Sequence, residues 1–462
     1  MTGARTVIDL SRIVKAYDVR GTVPDQLDEP VAEALGRAFV QTLRSRGEFA
    51  ERVVTAHDMR ESGPALASAF AAGARAEGAD VVEAGLGSTD LLYFASGTLD
   101  LPGAMFTASH NPAQYNGIKL CKQGAKPVGQ DSGLAEIRDR AQAILEGRGE
   151  PPAGGRVGGI EQRGMLDAYA SYLRGLVDLT GIRPLTVVVD AGNGMGGYTV
   201  PAVLGEGLPL TIVPLYFELD GSFPNHEANP LEPANLVDLQ AKVRETGADL
   251  GLAFDGDADR CFVVDERGEA VSPSTITAMV AVRELAKAPG ATIIHNLITS
   301  RAVPEIVREH GGVAVRTRVG HSFIKAEMAR TGAVFGGEHS AHYYFSDFWG
   351  ADTGMLAAMH TLAMLGGQGA PLSALTKDYV RYADSGEINS TVADPAAKLA
   401  EIEAAYPVPV DRLDGITLDF PDGSWVSVRP SNTEPLLRLN VEAPTAERMA
   451  ALRDEMLDVI RR

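Results

Sequence analysis

The sequence predicts an α/β protein of several domains that ends in a smaller α+β segment. Three observations carry this reading. The chain has 462 residues, more than one hydrophobic core accommodates. Apolar strand-like runs (52–56, 185–189 and 292–295) alternate with longer segments of helical periodicity (30–44, 64–75, 166–176 and 274–286). Such alternation implies strand–helix units with buried, mostly parallel sheets. The tail departs from it, because 387–392, 415–420 and 425–429 read as strands before one terminal helix.

Taken in order, three strand–helix sets of roughly a hundred residues each precede Gly366, as domain sizes allow. Gly/Pro-rich breaks at 147–159 and 365–371 separate them, and a further boundary falls near residues 255–260. The expected domains are 1–153, 154–258, 259–368 and 369–462. Hydrophobic content of 45% and charged content of 22% fit a soluble globular chain. No segment is apolar for the length of a membrane span, so no membrane is expected and a cytoplasmic location is. Cys121 and Cys261 form neither a metal spacing nor a disulfide framework. The net charge of −19 argues against nucleic acid as a partner. It also means that a phosphorylated ligand needs a local basic pocket, for which Arg20, Lys119, Arg260, Lys325 and Arg429 are the cations available.

The chemistry begins at Asp255-Gly256-Asp257-Ala258-Asp259-Arg260, which closes the apolar run 250–254. Alternate side chains of an extended segment point the same way, so the three carboxylates are expected to converge on one hard cation, Mg²⁺ or Ca²⁺. Arg260 adds a phosphate-shaped donor fork. The pattern reads as a phosphoryl-transfer metal site. An EF-hand loop also begins with alternating acids, and Glu266 stands at its twelfth position. Its sixth position requires Gly, however, and here holds Arg260, while 261–264 is an apolar strand. A solvated acidic turn is the other alternative. Upstream, Thr107-Ala108-Ser109-His110-Asn111-Pro112 follows the apolar run 101–106. Ser109 in this small polar turn can be exposed as a nucleophile beside N–H groups able to cradle a phosphate. Neighbouring Ser109 and His110 are not expected to face each other as in a triad.

With Tyr17-Asp18-Val19-Arg20-Gly21, Gly320-His321-Ser322-Phe323-Ile324-Lys325, Gly337-Glu338-His339-Ser340 and Arg429-Pro430-Ser431-Asn432-Thr433-Glu434-Pro435, these motifs resemble, in order, those of the α-D-phosphohexomutases. The likeness spans essentially the whole chain and is strongest to the bacterial phosphomannomutase/phosphoglucomutase branch. It implies three similar mixed-sheet α/β domains plus a smaller C-terminal α+β domain around a central cleft. It implies that Ser109 is carried as phosphoserine and also faces Mg²⁺ held by Asp255, Asp257 and Asp259. Lys119 and His321 then move protons and Arg20 serves the catalytic group. Tyr17, Arg260, Lys325, Glu338 and Ser340 contact substrate, while Arg429, Ser431, Asn432 and Thr433 hold its phosphate.

Acting as a base requires Lys119 to have a lowered pKa; histidine as a residue type ordinarily titrates near neutrality, which makes His321 the other candidate for assisting proton transfer. Read alone, Lys119 is an ordinary surface lysine, and for His321 a satisfied structural histidine is the alternative reading. Arg60 matches a family element near the nucleophile. Three positions depart from the family: His339 stands at a variable site, Ala341 replaces a common glycine, and 296–299 lacks a lysine that many relatives carry, Leu297 or a neighbour taking its place.

The expected reaction interconverts mannose 6-phosphate and mannose 1-phosphate through a hexose 1,6-bisphosphate, which also serves as activator. Glucose phosphates, or both sugars, are the alternative. Phosphoglucosamine mutases rank third, since they usually have Gly in place of Asn432. Small phosphosugars are the expected partners of a monomer or weak dimer. The rivals are a Mg²⁺-dependent phosphatase, which must admit water, and a non-catalytic ion-binding scaffold, which leaves Ser109, Lys119 and Arg429 unexplained.

Overall fold

In the computed structural model, which describes residues 8–152, 155–431 and 436–462, the periodic segments are helices and the apolar runs strands. Helices Glu29–Ser45, Gly63–Ala76, Leu166–Leu176 and Pro273–Lys287 stand where helical periodicity places them. Their starts follow from local chemistry. Asp28 and Ser272 accept N–H bonds from Val31 and Ser274, and proline occupies the first turn behind each, where its missing N–H costs nothing.

The chain divides into two units, Met1–Val271 with Ser340–Leu372 and Ser272–His339 with Ser373–Arg462. The first unit holds a mixed sheet ordered Val19–Thr22, Tyr115–Lys122, Gly103–Phe106, Arg52–His57, Asp80–Leu86, Ile160–Gln162. Its Tyr115–Lys122 strand runs antiparallel to both neighbours, whereas Arg52–His57 is parallel to both of its own. Phe70 fastens the flanking helices to this sheet, its ring 5.9 Å from Phe39 and 5.6 Å from Phe106. Burial of each such side chain contributes roughly 1.5–3 kcal/mol.

A second mixed sheet in the same unit runs Ala270–Val271, Cys261–Asp265, Leu250–Phe254, Leu185–Asp190, Leu210–Leu215. Antiparallel pairing of Leu250–Phe254 with Cys261–Asp265 makes residues 255–260 the connection of a hairpin. The second unit carries three parallel strands, Val313–Thr317, Thr292–Asn296 and Phe335–Gly337. It also has an antiparallel sheet, ordered Ala383–Thr391, Leu436–Ala443, Trp425–Pro430, Ile416–Asp419, Val410–Asp411. One face of that sheet packs Val426, Val428, Leu437 and Leu439 with Leu452 and Met456 of helix Ala446–Arg461. The fold is therefore three α/β layers followed by an α+β segment. Among the described residues, no helix is long and apolar enough to cross a membrane.

Candidate active site

Ser109 leaves the end of strand Gly103–Phe106 in a left-handed conformation, φ 50°. Non-glycine residues adopt this region at a cost, and such strain collects at functional sites. Thr107 Oγ1 accepts from Ser109 N at 2.9 Å. Arg60 pins the loop from beneath and is only 2% exposed. Its Nη1 donates to the carbonyls of Pro112 and Tyr115, each at 2.9 Å, and its Nη2 to those of Ser109 at 2.9 Å and Asn111 at 2.6 Å. Asp58 lies 3.3 Å from Arg60 Nε, and the Phe223 ring lies over the guanidinium. Arg20 fixes the other side, donating to Ala108 O at 2.9 Å and Asn111 Oδ1 at 2.7 Å while Asp18 holds its Nε.

The acidic segment is not extended, which corrects the strand-alternation reading. Residues 256–258 form a turn and bend, with Ala258 at φ 58°. The carboxylates still converge: one ligand atom from each of Asp255, Asp257 and Asp259 lies within 4.8 Å of the others. The turn works because Gly256 has no side chain; a Cβ there would sit 2.4 Å from Ser109 O. Ser109 Oγ then donates to Asp255 Oδ2 at 2.7 Å. Lys119 Nζ bridges Asp257 Oδ2 at 2.7 Å and Asp259 Oδ2 at 2.6 Å. Thr89, which follows the N-cap Ser88, donates to Asp257 Oδ2 at 2.6 Å. Arg260 Nη2 donates to Asp255 Oδ2 at 2.8 Å and reaches Ser109 Oγ at 3.4 Å.

Ser109 and His110 do meet, with Oγ 3.2 Å from Nδ1, contrary to the sequence expectation. The left-handed serine folds its side chain back toward its neighbour. His110 is a poor proton acceptor all the same: burial, then the charges of Arg260 and Arg20, hold it well below its usual range. Lys119 moves opposite to the base expected of it. Burial disfavours its charge, but Asp257 and Asp259 outweigh burial and raise it, so it is held protonated. Asp257 is raised by burial and lowered more strongly by Lys119 and Thr89, for a net fall. Asp255 is pushed up to about 7, by burial first and the neighbouring carboxylates after it, against Arg260.

The donor set fits a hard divalent cation. Asp257 Oδ1 and Asp259 Oδ1 are buried with no hydrogen-bond partner among the described residues, an arrangement costly unless a cation or water meets them. Sequence reasoning missed the group behind Asp259. His342 Nε2 lies 3.7 Å from Asp259 Oδ1, Ser340 Oγ is 3.0 Å from His342 Nδ1, and Asp352 completes a second close set with Asp259 and His342. The backbone bridge between Arg260 and His342 sets this contact, and no local motif announces it. Ala341 keeps the left-handed backbone that a glycine favours, φ 64°. Tyr17 is half-buried just before strand Val19–Thr22.

In the second unit, Glu338 is buried and accepts from Asn296 Nδ2 at 3.1 Å. Lys325 is buried within helix His321–Thr331, and His321 is half-buried at its start. Arg429 is 5% exposed; Glu387 holds its Nη2 at 2.7 Å and Asp414 lies 4.0 Å from Nη1. Its Nε has no partner among the described residues. Ser431 N donates to Leu436 O at 2.9 Å. Asn432 and Thr433 lie outside the described residues.

A serine hydroxyl, three carboxylates, a lysine and two arginines packed into one buried cluster define a phosphoryl-transfer class of protein. Profiles of the phosphoglucomutase/phosphomannomutase alpha/beta/alpha domains I, II and III match residues 11–148, 167–268 and 273–382, and that of the C-terminal domain matches 387–459. A Xanthomonas campestris protein named phosphohexose mutases is 41% identical over 434 residues, 93% of this chain and 94% of its own. A Salmonella montevideo phosphomannomutase is 38% identical at the same coverage. The solved structure of a phosphoglucomutase/phosphomannomutase family protein from Burkholderia thailandensis superposes with a TM-score of 0.88 at 34% identity, covering 98% of each chain. The chain belongs to the phosphoglucomutase/phosphomannomutase family, enzymes of the phosphohexomutase class.

Proposed function

We propose that this phosphohexomutase interconverts mannose 6-phosphate and mannose 1-phosphate through phospho-Ser109 and a hexose 1,6-bisphosphate. One observation carries the reading: Ser109 Oγ donates to Asp255 Oδ2 at 2.7 Å, inside a cluster where two buried carboxylate oxygens have no hydrogen-bond partner among the described residues. The names of the Salmonella relatives support the mannose assignment. The Xanthomonas relative is named for hexoses without specifying one, which supports action on glucose phosphates as a second reading.

Asp255, Asp257 and Asp259, with the serine phosphate, would hold Mg²⁺, which when bound stabilises charge on the transferring oxygens. Arg260 orients the phosphoryl group beside Ser109. In the forward step the bond from phosphorus to Ser109 Oγ breaks and a bond from phosphorus to a sugar hydroxyl oxygen forms. Lys119, held protonated by its two carboxylates, returns a proton toward the serine oxygen. The hydroxyl proton goes to His321. The second half reverses both transfers with the sugar turned over. Glu338, Ser340, Tyr17 and Lys325 contact the substrate, and Arg20 fixes the serine loop. Arg429, Ser431, Asn432 and Thr433 hold the phosphate that is not reacting.

Enzyme stripped of phosphate tests this directly. It should be nearly inactive on mannose 1-phosphate, and a trace of mannose 1,6-bisphosphate or glucose 1,6-bisphosphate should restore turnover. The intact mass should then rise by one phosphoryl group, a gain that Ser109→Ala abolishes. Full activity of stripped enzyme without bisphosphate and without a labelled serine would sink the proposal.

A further inference from the structure

Strand Thr292–Asn296 and the residues after it divide two environments of the second unit. On one side Asn296 bonds Glu338, and Ile298 lines a water-sized hollow with His339. On the other, His295, Leu297 and Thr299 line a separate cavity of about 330 Å³, near the lower limit of ligand-sized pockets. Thr417 and Trp425 of the antiparallel sheet line this second cavity as well. It therefore joins the parallel layer to the C-terminal segment, and Thr299 in its lining donates to Asn296 Oδ1 at 2.8 Å.

The charge of its lining is lopsided. Arg301, Arg308 and Arg316 face it together with one acid, Glu305. That acid is already engaged, accepting from Arg381 at 3.0 Å and from the Tyr382 hydroxyl at 2.6 Å. Arg301 bonds Asp419 and the Gly423 carbonyl, and Arg316 pairs with Asp411. Arg308 has no carboxylate partner among the described residues. His295 registers the resulting field: burial, with the charges of Arg316 and Arg308 added, holds it down to about 4. Arg316 in turn is disfavoured by burial and by Arg301. In a chain of net charge −19, Arg308 is thus the one guanidinium of this lining without a carboxylate partner among the described residues, with Arg301 and Arg316 beside it. Planar guanidinium forks suit phosphate oxygens in particular.

We propose that this cavity is a second, non-catalytic anion site, taking a phosphate dianion, free or as the monoester of a small metabolite, on Arg301, Arg308 and Arg316. Arg308 and Arg316 come from the parallel layer and Thr417 from the antiparallel sheet, so an occupant there fastens the C-terminal segment to its neighbour.

Calorimetric titration of the full chain with inorganic phosphate, and separately with mannose 1-phosphate, tests the assignment. Wild type should show two classes of site for at least one of the two probes. Arg308→Glu should weaken one class about ten-fold or more, with unchanged melting temperature and unchanged kcat/KM in phosphate-free buffer. Arg308→Lys should retain part of that affinity. Arg429→Ala should weaken the other class and leave the Arg308-dependent one. Loss with inorganic phosphate identifies the free anion as occupant, and loss with mannose 1-phosphate alone identifies the monoester. A single class removed by Arg429→Ala, or titrations that Arg308→Glu leaves unchanged for both probes, would overturn the proposal. Turnover of the wild type is a separate readout, so failure here leaves the mutase reading standing.

Discussion

The Ser109 cluster of the first unit and Arg429 of the second meet the same electrostatic problem in different ways. Around Ser109 the loop itself is held through its backbone carbonyls by the buried Arg60, while Lys119 and Arg260 pair with Asp257, Asp259 and Asp255. The loop is fixed before a ligand arrives, so reorganisation at the reacting atoms is avoided. Arg429 is held by carboxylates, Glu387 at 2.7 Å and Asp414 at 4.0 Å, and its buried Nε has no partner among the described residues. A phosphate must take the guanidinium from these acids. Rigidity thus sits where the bond changes, and exchangeability where a phosphate is gripped and released.

The largest effect expected from breaking the rigid side is at Arg60. Arg60→Ala removes the charge opposite Asp58, which is itself fully buried, and frees four carbonyls. Losing one partner of a buried pair costs about 3–5 kcal/mol. Urea unfolding should show this loss, with turnover falling as well; unchanged stability would mean that the loop is held by other groups.

Asp90 tests the support behind the cluster. It accepts from Tyr169 at 2.6 Å and Thr353 at 2.7 Å, and burial pushes its carboxyl up to about 6 despite these bonds. The folded state therefore keeps this proton over a range in which the unfolded chain, near 3.9, has lost it. This group's contribution is fully present below pH about 4 and falls away as pH rises toward 6, by roughly 3 kcal/mol in all. Asp90→Asn cannot ionise, so wild-type stability minus variant stability should decline across that window. A flat difference would show that the hydroxyls of Ser88, Tyr169 and Thr353 fully compensate the buried charge.

Gly256→Ala sharpens the same side without touching a charge. Its Cβ would lie 2.4 Å from Ser109 O, so the acidic turn or the serine loop must shift. Misplacement of reacting groups by about 1 Å costs on the order of 10²-fold in rate. Single-turnover phosphoryl transfer measures it, and wild-type rates would place the precision elsewhere.

The exchangeable side should respond most mildly. Arg429→Ala is expected to raise KM for mannose 1-phosphate about ten-fold, with a smaller fall in kcat, since it grips ground state and transition state alike. Steady-state kinetics decide this: a large loss in kcat at constant KM would move Arg429 to the reacting centre.

Much of the molecule was legible in the chain because its signals are local. Helix 166–176 follows from apolar spacing and matches Leu166–Leu176. The tail strands follow from β-rich runs, and the acids and serine from short motifs at strand ends. Sequence by itself determined which residue types are available for phosphoryl transfer and the order of strands and helices that presents them. Tertiary structure decided how they meet. The three carboxylates converge through a turn with Ala258 left-handed rather than through strand alternation. Lys119 is charged up rather than down because two distant acids reach it, 138 and 140 residues along the chain. His342 and Asp352 acquire partners that no motif names. Hydrophobic periodicity and turn chemistry act over a few residues, whereas charge, burial and hydrogen-bond satisfaction depend on every neighbour that folding brings within a few ångströms.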